Sequence, residues 1–261
     1  MTIREGTPIW YELMTNAPDV AEEFYAAIMG WSCDITQTAD GRDYRLCTAQ
    51  DGDTVSGIMQ IPEGAPFDPV WSVYFAVADV DAAVDKLKLL GGAVHMEPQD
   101  IPGVGRFAFV TDPQGAHFYL MRGDSDDMSR AFSTSAQGHC VWNELVTRDQ
   151  TSALEFYSAL FGWEKTGSMP MDDAGPYTFL RSGELDFGAV MNAKDKDATP
   201  FWNFAFQVAD IDVAKSAVEA TGGTVKYGPF ELPDNSGWMI GADDPQGAGL
   251  MLTGPSNGGA A

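Results

Sequence analysis

Apolar residues follow two different spacings along this chain, and the two spacings alternate. After Asp79 the apolar positions recur every three or four residues, which predicts an amphipathic helix that buries one face. These positions are Val80, Ala83, Val84, Leu87 and Leu90. Asp79 is placed to cap this helix and Gly91-Gly92 to end it. Asp19 is expected to cap a first helix in the same way.

Segments with alternating apolar and aromatic residues lie on both sides of each predicted helix and predict β-strands. Those before the helices include PIWYELMT from Pro8 and PVWSVYFAVA from Pro69. Those after the helices are shorter: DYRLCTA, VSGIMQI, RFAFVTD and AHFYLMR. The repeating unit is therefore a strand, a helix and three further strands, and the pattern predicts four such units.

The two halves of the chain repeat each other. FYAAIMGW from Phe24 matches FYSALFGW from Phe156, and TDPQGAHFYLM from Thr111 matches DDPQGAGLMLT from Asp243. Self-similarity of this kind indicates a tandem duplication. We expect a first domain at residues 6–122, a polar linker at 123–137, a second domain at 138–254 and a disordered tail at 255–261. The aromatic residues of the FY motif are expected to pack in the core.

The composition excludes several classes of function. A net charge of −23 with a pI near 4.1 argues against nucleic acids and anionic membranes as partners. No apolar run approaches the roughly 18 residues of a membrane span, and the N-terminus lacks a signal-peptide pattern. The three cysteines form no CxxC motif, so we expect reduced thiols and a cytoplasmic location.

A paired strand–helix–three-strand unit with FYxxxxGW and DPxGxxxxL motifs resembles the vicinal oxygen chelate superfamily. That superfamily includes glyoxalase I, bleomycin-resistance proteins and extradiol dioxygenases. The resemblance implies an α+β fold in which four βαβββ modules form two curved eight-stranded sheets, or cups, with helices outside. It also implies a small-molecule site inside a cup. Whether each cup forms within one half or across the fusion stays open at this point.

The resemblance further implies a divalent metal held by side chains of the first and last strands. Counting from the motifs puts those positions at Trp10, Ser72 and Tyr119 in the first half, and at Trp142, Asn203 and Met251 in the second. Indole, hydroxyl, amide and thioether groups are weak ligands for hard or borderline divalent ions. We therefore expect no bound metal, although a divalent ion is not excluded. Lactoylglutathione lyase and extradiol dioxygenase activities are doubtful for the same reason, and whether the chain is an enzyme stays open.

Strand alternation adds neighbours that share a face with these positions. The predicted ligand-binding residues are Trp10, Glu12, Ser72, Tyr74, His117, Tyr119, Trp142, Glu144, Asn203 and Met251, with Gly249 beside Met251. Glu12 and His117 are the candidate general base and acid. Ordinary structural roles for both stay open. His95 is expected to be exposed and His139 to cap a strand.

Three functions are compatible with this pattern. The first is a metal-independent binder of a small aromatic or cationic molecule, acting as a monomer or homodimer. The second is a metal-dependent lyase, isomerase or dioxygenase of the same superfamily. The third is a degenerate scaffold that acts through its surface.

Overall fold

The computed structural model of the protein describes residues 4–38, 40–125, 128–171 and 175–257, with the side chain of Asp234 left aside. Within these ranges the first half contains β1 (Pro8–Thr15), α1 (Pro18–Met29), β2 (Ser32–Gln37), β3 (Asp43–Thr48), β4 (Thr54–Gln60), β5 (Val70–Ala76), α2 (Val80–Leu89), β6 (Ala93–Ile101), β7 (Gly105–Thr111) and β8 (His117–Gly123). The second half contains β9 (Cys140–Thr147), α3 (Gln150–Phe161), β10 (Glu164–Met171), β11 (Gly175–Ser182), β12 (Leu185–Asn192), β13 (Phe201–Gln207), α4 (Ile211–Ala220), β14 (Thr224–Glu231), β15 (Trp238–Asp243) and β16 (Gly249–Gly254). The four predicted βαβββ modules are confirmed.

Two eight-stranded mixed sheets carry the fold. The first has the strand order β2-β3-β4-β1-β5-β8-β7-β6, and the second β10-β11-β12-β9-β13-β16-β15-β14. Each sheet therefore takes all its strands from one half of the chain. The sequence left open whether a cup forms within one half or across the fusion, and the sheets form within the halves. Neither sheet closes on itself, in agreement with the predicted cups.

The chain also divides into two compact units that do not follow sequence order. Unit 1 comprises Met1–Ile9, Ser72–Ser129 and Trp142–Asn203, and unit 2 comprises Trp10–Trp71, Arg130–Val141 and Phe204–Ala261. Each unit thus combines one module from each half. The limits predicted for the domains and the linker stay predictions. Residues 258–261 of the predicted tail lie outside the described ranges.

The second helix forms as its pattern predicts. Val80, Val84 and Leu87 are buried, and the Asp79 carboxylate accepts a hydrogen bond from the Ala82 N–H at 3.0 Å. Gly91 follows with a φ of 89°, a left-handed conformation that suits glycine at a helix end. This amphipathic stripe accounts for the burial of α2 against its sheet.

The cap predicted at Asp19 is wrong. Helix α1 begins at Pro18, two residues earlier than a cap at Asp19 implies, and Ala17 occupies the capping position without a side-chain hydrogen bond. Proline is favoured in the first turn because its missing N–H would lack a helical acceptor there anyway. The Asp19 carboxylate instead pairs with Arg45 of β3, which also binds Glu22 at 2.9 Å.

Aromatic residues fill the core of each unit. In unit 2 the fully buried rings of Tyr11 and Phe204 meet edge to face at 5.3 Å. In unit 1 Phe75 packs against Phe161 of α3 at 5.5 Å. The FY-motif tyrosines, Tyr25 and Tyr157, are buried as expected. Large buried rings supply most of the apolar area that stabilises cores of this size.

The expectation of three reduced thiols is wrong for two of the cysteines. Cys33 and Cys47 form a disulfide between β2 and β3, where the strand register places them directly opposite each other. Their spacing of 14 residues matches no short motif, so the pairing becomes visible only when the hairpin register is known. Cys140 is a buried thiol. None of the helices in the described ranges combines the length and apolar character of a membrane span.

Candidate ligand-binding site

The strands of unit 1 present two contrasting faces. On one face Phe75, Phe118 and Leu120 are fully buried, and Phe75 and Phe118 both contact Phe161 of α3. Neighbouring residues on the same strands point the opposite way, since strand side chains alternate. Their face carries the predicted residues Tyr74, His117 and Tyr119. It is the face turned away from the helix core.

Five rings form a continuous aromatic face on this side of unit 1. They are Tyr74, Phe107, Phe109, His117 and Tyr119, and we call them the aromatic face. Tyr74 and Tyr119 are register partners and stack at 4.1 Å with an interplanar angle of 7°. The ring centroid of Phe109 lies 4.7 Å from that of Tyr119 and 5.7 Å from that of His117, on which Phe109 stacks. Tyr74 is buried, Phe107, Phe109 and Tyr119 are half-buried, and His117 is exposed. A flat ligand can therefore still reach the rings.

His117 contributes an uncharged ring to this face. The part of the His117 ring that packs against its neighbours is shielded from water, and this desolvation, followed by the proximity of His95, holds the pKa of His117 below its usual range. The His95 ring lies 6.2 Å from His117 and its Nε2 is 3.3 Å from the Thr111 hydroxyl. His95 is exposed, as predicted. A neutral imidazole stacks on Phe109 without the desolvation cost of a cation.

A hydrogen-bond relay fixes the carboxylate of Glu12 in unit 2. The Trp10 indole N–H donates to the Tyr44 hydroxyl at 2.9 Å, and the Tyr44 hydroxyl donates to Glu12 Oε2 at 3.0 Å. Glu12 is 6 % exposed. A Cβ placed on Gly57 would lie 1.8 Å from the Tyr44 hydroxyl, so the glycine makes room for the ring. The relay holds a buried carboxylate in one geometry.

The same relay recurs in unit 1. The Trp142 indole N–H donates to the Tyr177 hydroxyl at 2.8 Å, and Tyr177 in turn bonds to Glu144 together with the Asn203 side chain. Burial nevertheless raises the pKa of Glu144 above its usual range, against the opposing effect of these two hydrogen bonds. A carboxylate of this kind accepts a proton or a ligand hydrogen bond more readily than a solvated one. The structure therefore brings together the predicted residues Trp142, Glu144 and Asn203.

Other predicted residues are not brought together within one unit. Trp10 and Glu12 belong to unit 2, whereas Tyr74, His117 and Tyr119 belong to unit 1. Neither unit therefore contains both members of the candidate acid–base pair Glu12 and His117. Ser72 is buried in unit 1, and Met251 is buried in unit 2 opposite Ala205 and Gly241. The exposed Gly249 offers no side chain at all.

The two tyrosines of the relays were missed by the sequence reasoning. Tyr44 and Tyr177 occupy equivalent places in β3 and β11, one residue before Arg45 and Thr178. Their recurrence between the halves was the signal that could have found them. Because the prediction followed only first and last strands, it did not extend to the third strand of each module.

The residues at the cup positions do not fit a metal ion. The indole N–H groups of Trp10 and Trp142 are donors that already bond to tyrosine oxygens. Within the described parts of either unit, these positions offer no imidazole next to a carboxylate. The donor set suits an organic ligand better than a hard or borderline cation.

A group with metal-like composition does lie elsewhere, in unit 2. One ligand atom from each of Asp51, Asp53 and His139 falls within 4.8 Å of the others. His139 is buried, its Nδ1 donates to the Arg130 carbonyl at 2.7 Å, and its Nε2 lies 3.0 Å from Asp51. The expected strand-capping role of His139 stays a prediction, but its side chain also joins a cluster with Asp51 and Asp53. The Arg130 guanidinium already pairs with one of these two carboxylates, that of Asp53, at 2.8 Å.

Comparison with known proteins finds one matching superfamily and relatives that align over nearly the whole chain. The profile of the Glyoxalase/Bleomycin resistance protein/Dioxygenase superfamily matches residues 8–120 and 136–252. A Mycobacterium bovis protein named "Putative glyoxylase CFP32" is 33% identical over 255 residues, which cover 97% of this chain and 96% of that protein. The anthracycline biosynthesis protein DnrV of Streptomyces peucetius is 31% identical over 269 residues, with 95% and 92% covered.

The fold has a match among solved structures as well. The Mn(II)-bound glyoxalase from Novosphingobium aromaticivorans aligns with a TM-score of 0.66 at 18% identity, and the alignment covers 97% of this chain and 83% of that one. Identity at this level supports the fold and not the chemistry.

Proposed function

Because the chain belongs to the glyoxalase/bleomycin resistance/dioxygenase superfamily, we propose that it binds a planar aromatic small molecule on the aromatic face, without a metal ion. The observation that carries this proposal is the row of half-buried rings Phe107, Phe109 and Tyr119 on the side of unit 1 turned away from the helices. Apolar rings that remain accessible in a concave sheet are the usual lining of a ligand pocket.

The stacking geometry favours a flat ligand. Tyr74 and Tyr119 are nearly parallel, as are Phe109 and His117, so a fused-ring molecule can lie over them with offset stacking. His117 is neutral at physiological pH, because its pKa is lowered, and it offers a directional hydrogen bond to a phenol or carbonyl at the ligand's edge. Both features suit hydroxylated polycyclic ligands.

The names of relatives agree with this ligand class. DnrV is named for anthracycline biosynthesis, and anthracyclines have a flat fused-ring core. The proposed binding needs no metal, since the cup positions lack a suitable donor set.

One observation favours a second candidate, an enzyme that moves a proton. The raised pKa of Glu144 and its fixed orientation by Tyr177 and Asn203 are properties of a general base. In this candidate Glu144 removes a proton next to a carbonyl of a molecule bound beside the Trp142–Tyr177 relay, and later returns it. Glu144→Gln would then abolish turnover but leave binding on the aromatic face intact.

A titration tests the proposed binding. The full chain is titrated with a hydroxyanthraquinone in the presence of EDTA, while tryptophan fluorescence and the melting temperature are recorded. We expect saturable binding that falls about fivefold or more in Tyr119→Ala, since one stacking ring contributes roughly 1 kcal/mol or more. Leu89→Ala, on the exposed side of α2, is the matched control and should bind like the wild type. Absence of binding, or equal binding by Tyr119→Ala, would refute the proposal.

A further inference from the structure

A cavity of about 370 Å³ lies in unit 1, between α3 and strands β9–β12. Its buried wall consists of apolar side chains, among them Leu145, Leu154, Leu180 and Val190. Leu145 and Val190 are register partners on the parallel strands β9 and β12. The relay residues Trp142 and Tyr177 alternate with these residues along β9 and β11. The cavity therefore lies on the side of the sheet opposite to the relay.

Two side-chain links span the corresponding region beside α1 in the first half. The repeat aligns Lys165 and Leu180 with Cys33 and Cys47, which are joined there by a disulfide. It also aligns Leu154 with Glu22, whose carboxylate reaches across to Arg45 of β3 at 2.9 Å. In the first half the disulfide thus joins β2 to β3, and the Glu22–Arg45 ion pair joins α1 to β3. The aligned residues at the cavity form neither link.

One cationic side chain, that of Lys165, lies at the rim of the cavity. Lys165 lies opposite Leu180 in the β10–β11 register, and cross-strand partners share a face. The adjacent Glu164 also lines the cavity, and it interacts electrostatically with Arg181, its partner in the same register. Lys165 makes no hydrogen bond or ion pair with other described residues. Ser158 of α3 is exposed at the same rim and adds a hydroxyl.

We propose that this cavity is a second ligand site, which takes a small amphipathic carboxylate with its apolar chain against the leucines and its carboxylate on Lys165. The volume is in the range of about 300–1,000 Å³ that small-molecule sites occupy. The wall offers apolar burial, and the lysine offers the opposite charge at the opening. The site is independent of the aromatic face.

Binding of octanoate to the full chain tests the proposal, with octanol and acetate as comparison probes. Octanoate should raise the melting temperature and give a saturable calorimetric titration, because a ligand of the native state stabilises it. Octanol should bind more weakly and acetate not at all. Lys165→Gln should lower the affinity for octanoate roughly two- to fivefold at low salt, because an exposed ion pair contributes little. The affinity for octanol should stay the same. Ser158→Phe places a ring in the opening and should abolish the binding of both octanoate and octanol.

Two control variants separate this site from others. Lys194→Gln removes the same charge from an exposed position outside the cavity and should bind octanoate like the wild type. Tyr119→Ala, which affects the proposed aromatic ligand, should also leave octanoate binding unchanged. Circular dichroism establishes that every variant is folded. No octanoate binding by the wild type, or undiminished binding by Ser158→Phe, would overturn the site. Equal octanoate affinity in Lys165→Gln and wild type would overturn the carboxylate assignment.

Discussion

The hydroxyl of Tyr25 donates a hydrogen bond to the carboxylate of Asp244 at 3.1 Å, across 219 residues of sequence. Tyr25 belongs to the FY motif of the first half and Asp244 to the DPQG turn of the second. The reciprocal pair, Tyr157 and Asp112, lies in unit 1 at 3.3 Å. The other oxygen of Asp112 accepts the backbone N–H groups of its own turn, among them Gly115 at 2.8 Å. The FY-motif tyrosine of each half thus forms a hydrogen bond with the DPQG aspartate of the other half.

We predict that Tyr25→Phe destabilises the protein by about 1–3 kcal/mol, the usual cost of leaving buried polar groups unpaired. The substitution removes the donor to Asp244 and also the acceptor of the Trp71 indole N–H at 2.9 Å. Denaturant unfolding of Tyr25→Phe, Asp244→Asn and the double variant measures the coupling between the two residues. Strictly additive effects of the two substitutions would contradict the pairing.

We predict that trypsin first cuts the native chain after Arg130. The side chain of Arg130 is 75 % exposed, and Asp124, Ser125, Met128 and Ser129 beside it are exposed as well. A denaturing gel should show two fragments of similar mass. Under native conditions the fragments should elute together, because each compact unit contains segments from both sides of the cut. Spontaneous separation of the fragments, or a first cut inside either half, would contradict this account.

We predict that reduction of the Cys33–Cys47 disulfide lowers the free energy of unfolding by about 3 kcal/mol, the value for a closed loop of this length. Urea unfolding with and without a reducing agent measures the change. The double variant Cys33→Ser/Cys47→Ser should match the reduced wild type and respond no further to the reductant. A response that persists in the double variant would have to come from Cys140.

We predict that Glu144→Gln becomes progressively more favourable to stability as the pH rises. Burial raises the pKa of Glu144 in the folded state above its unfolded value, so the folded state binds more protons between the two values. The stabilising contribution of the protonated carboxyl is complete below the unfolded pKa and is lost as the pH rises through the folded pKa. Glutamine has no such loss.

Melting temperatures from about pH 4 to about pH 8 test this, since that range starts near the ordinary pKa of glutamate. The difference between Glu144→Gln and wild type should increase with pH across the acidic range. Glu155→Gln, on the exposed side of α3, is the matched control and should follow the wild type. A difference between Glu144→Gln and wild type that is constant with pH would contradict the raised pKa.

Local patterns predicted the elements of this fold well. The stripe through Val80, Val84 and Leu87 could be found because burial against a sheet imposes helical spacing on the sequence itself. The duplication gave the module count for a similar reason, since both copies satisfy the same packing rules. Asp19 was misassigned as a cap because the helix starts at Pro18, two residues earlier than that assignment implied.

Contacts that depend on register or on distant segments were not predictable in this way. Cys33 and Cys47 pair because the hairpin places them opposite, and one residue of slippage would have separated them. His139 reaches Asp51 across 88 positions, and no local spacing encodes that contact. Of the candidate site, Trp142, Glu144 and Asn203 were correctly grouped, whereas Tyr177 required knowledge of the adjacent strand.

The most direct test of the central claim is a crystal structure of the full chain grown with a hydroxyanthraquinone and EDTA. We predict ligand density stacked on Tyr119 and Phe109, a hydrogen bond from the ligand's edge to His117, and no metal between ligand and protein. Density only at other positions, or a ligand held through a metal ion carried over in stoichiometric amount, would contradict it.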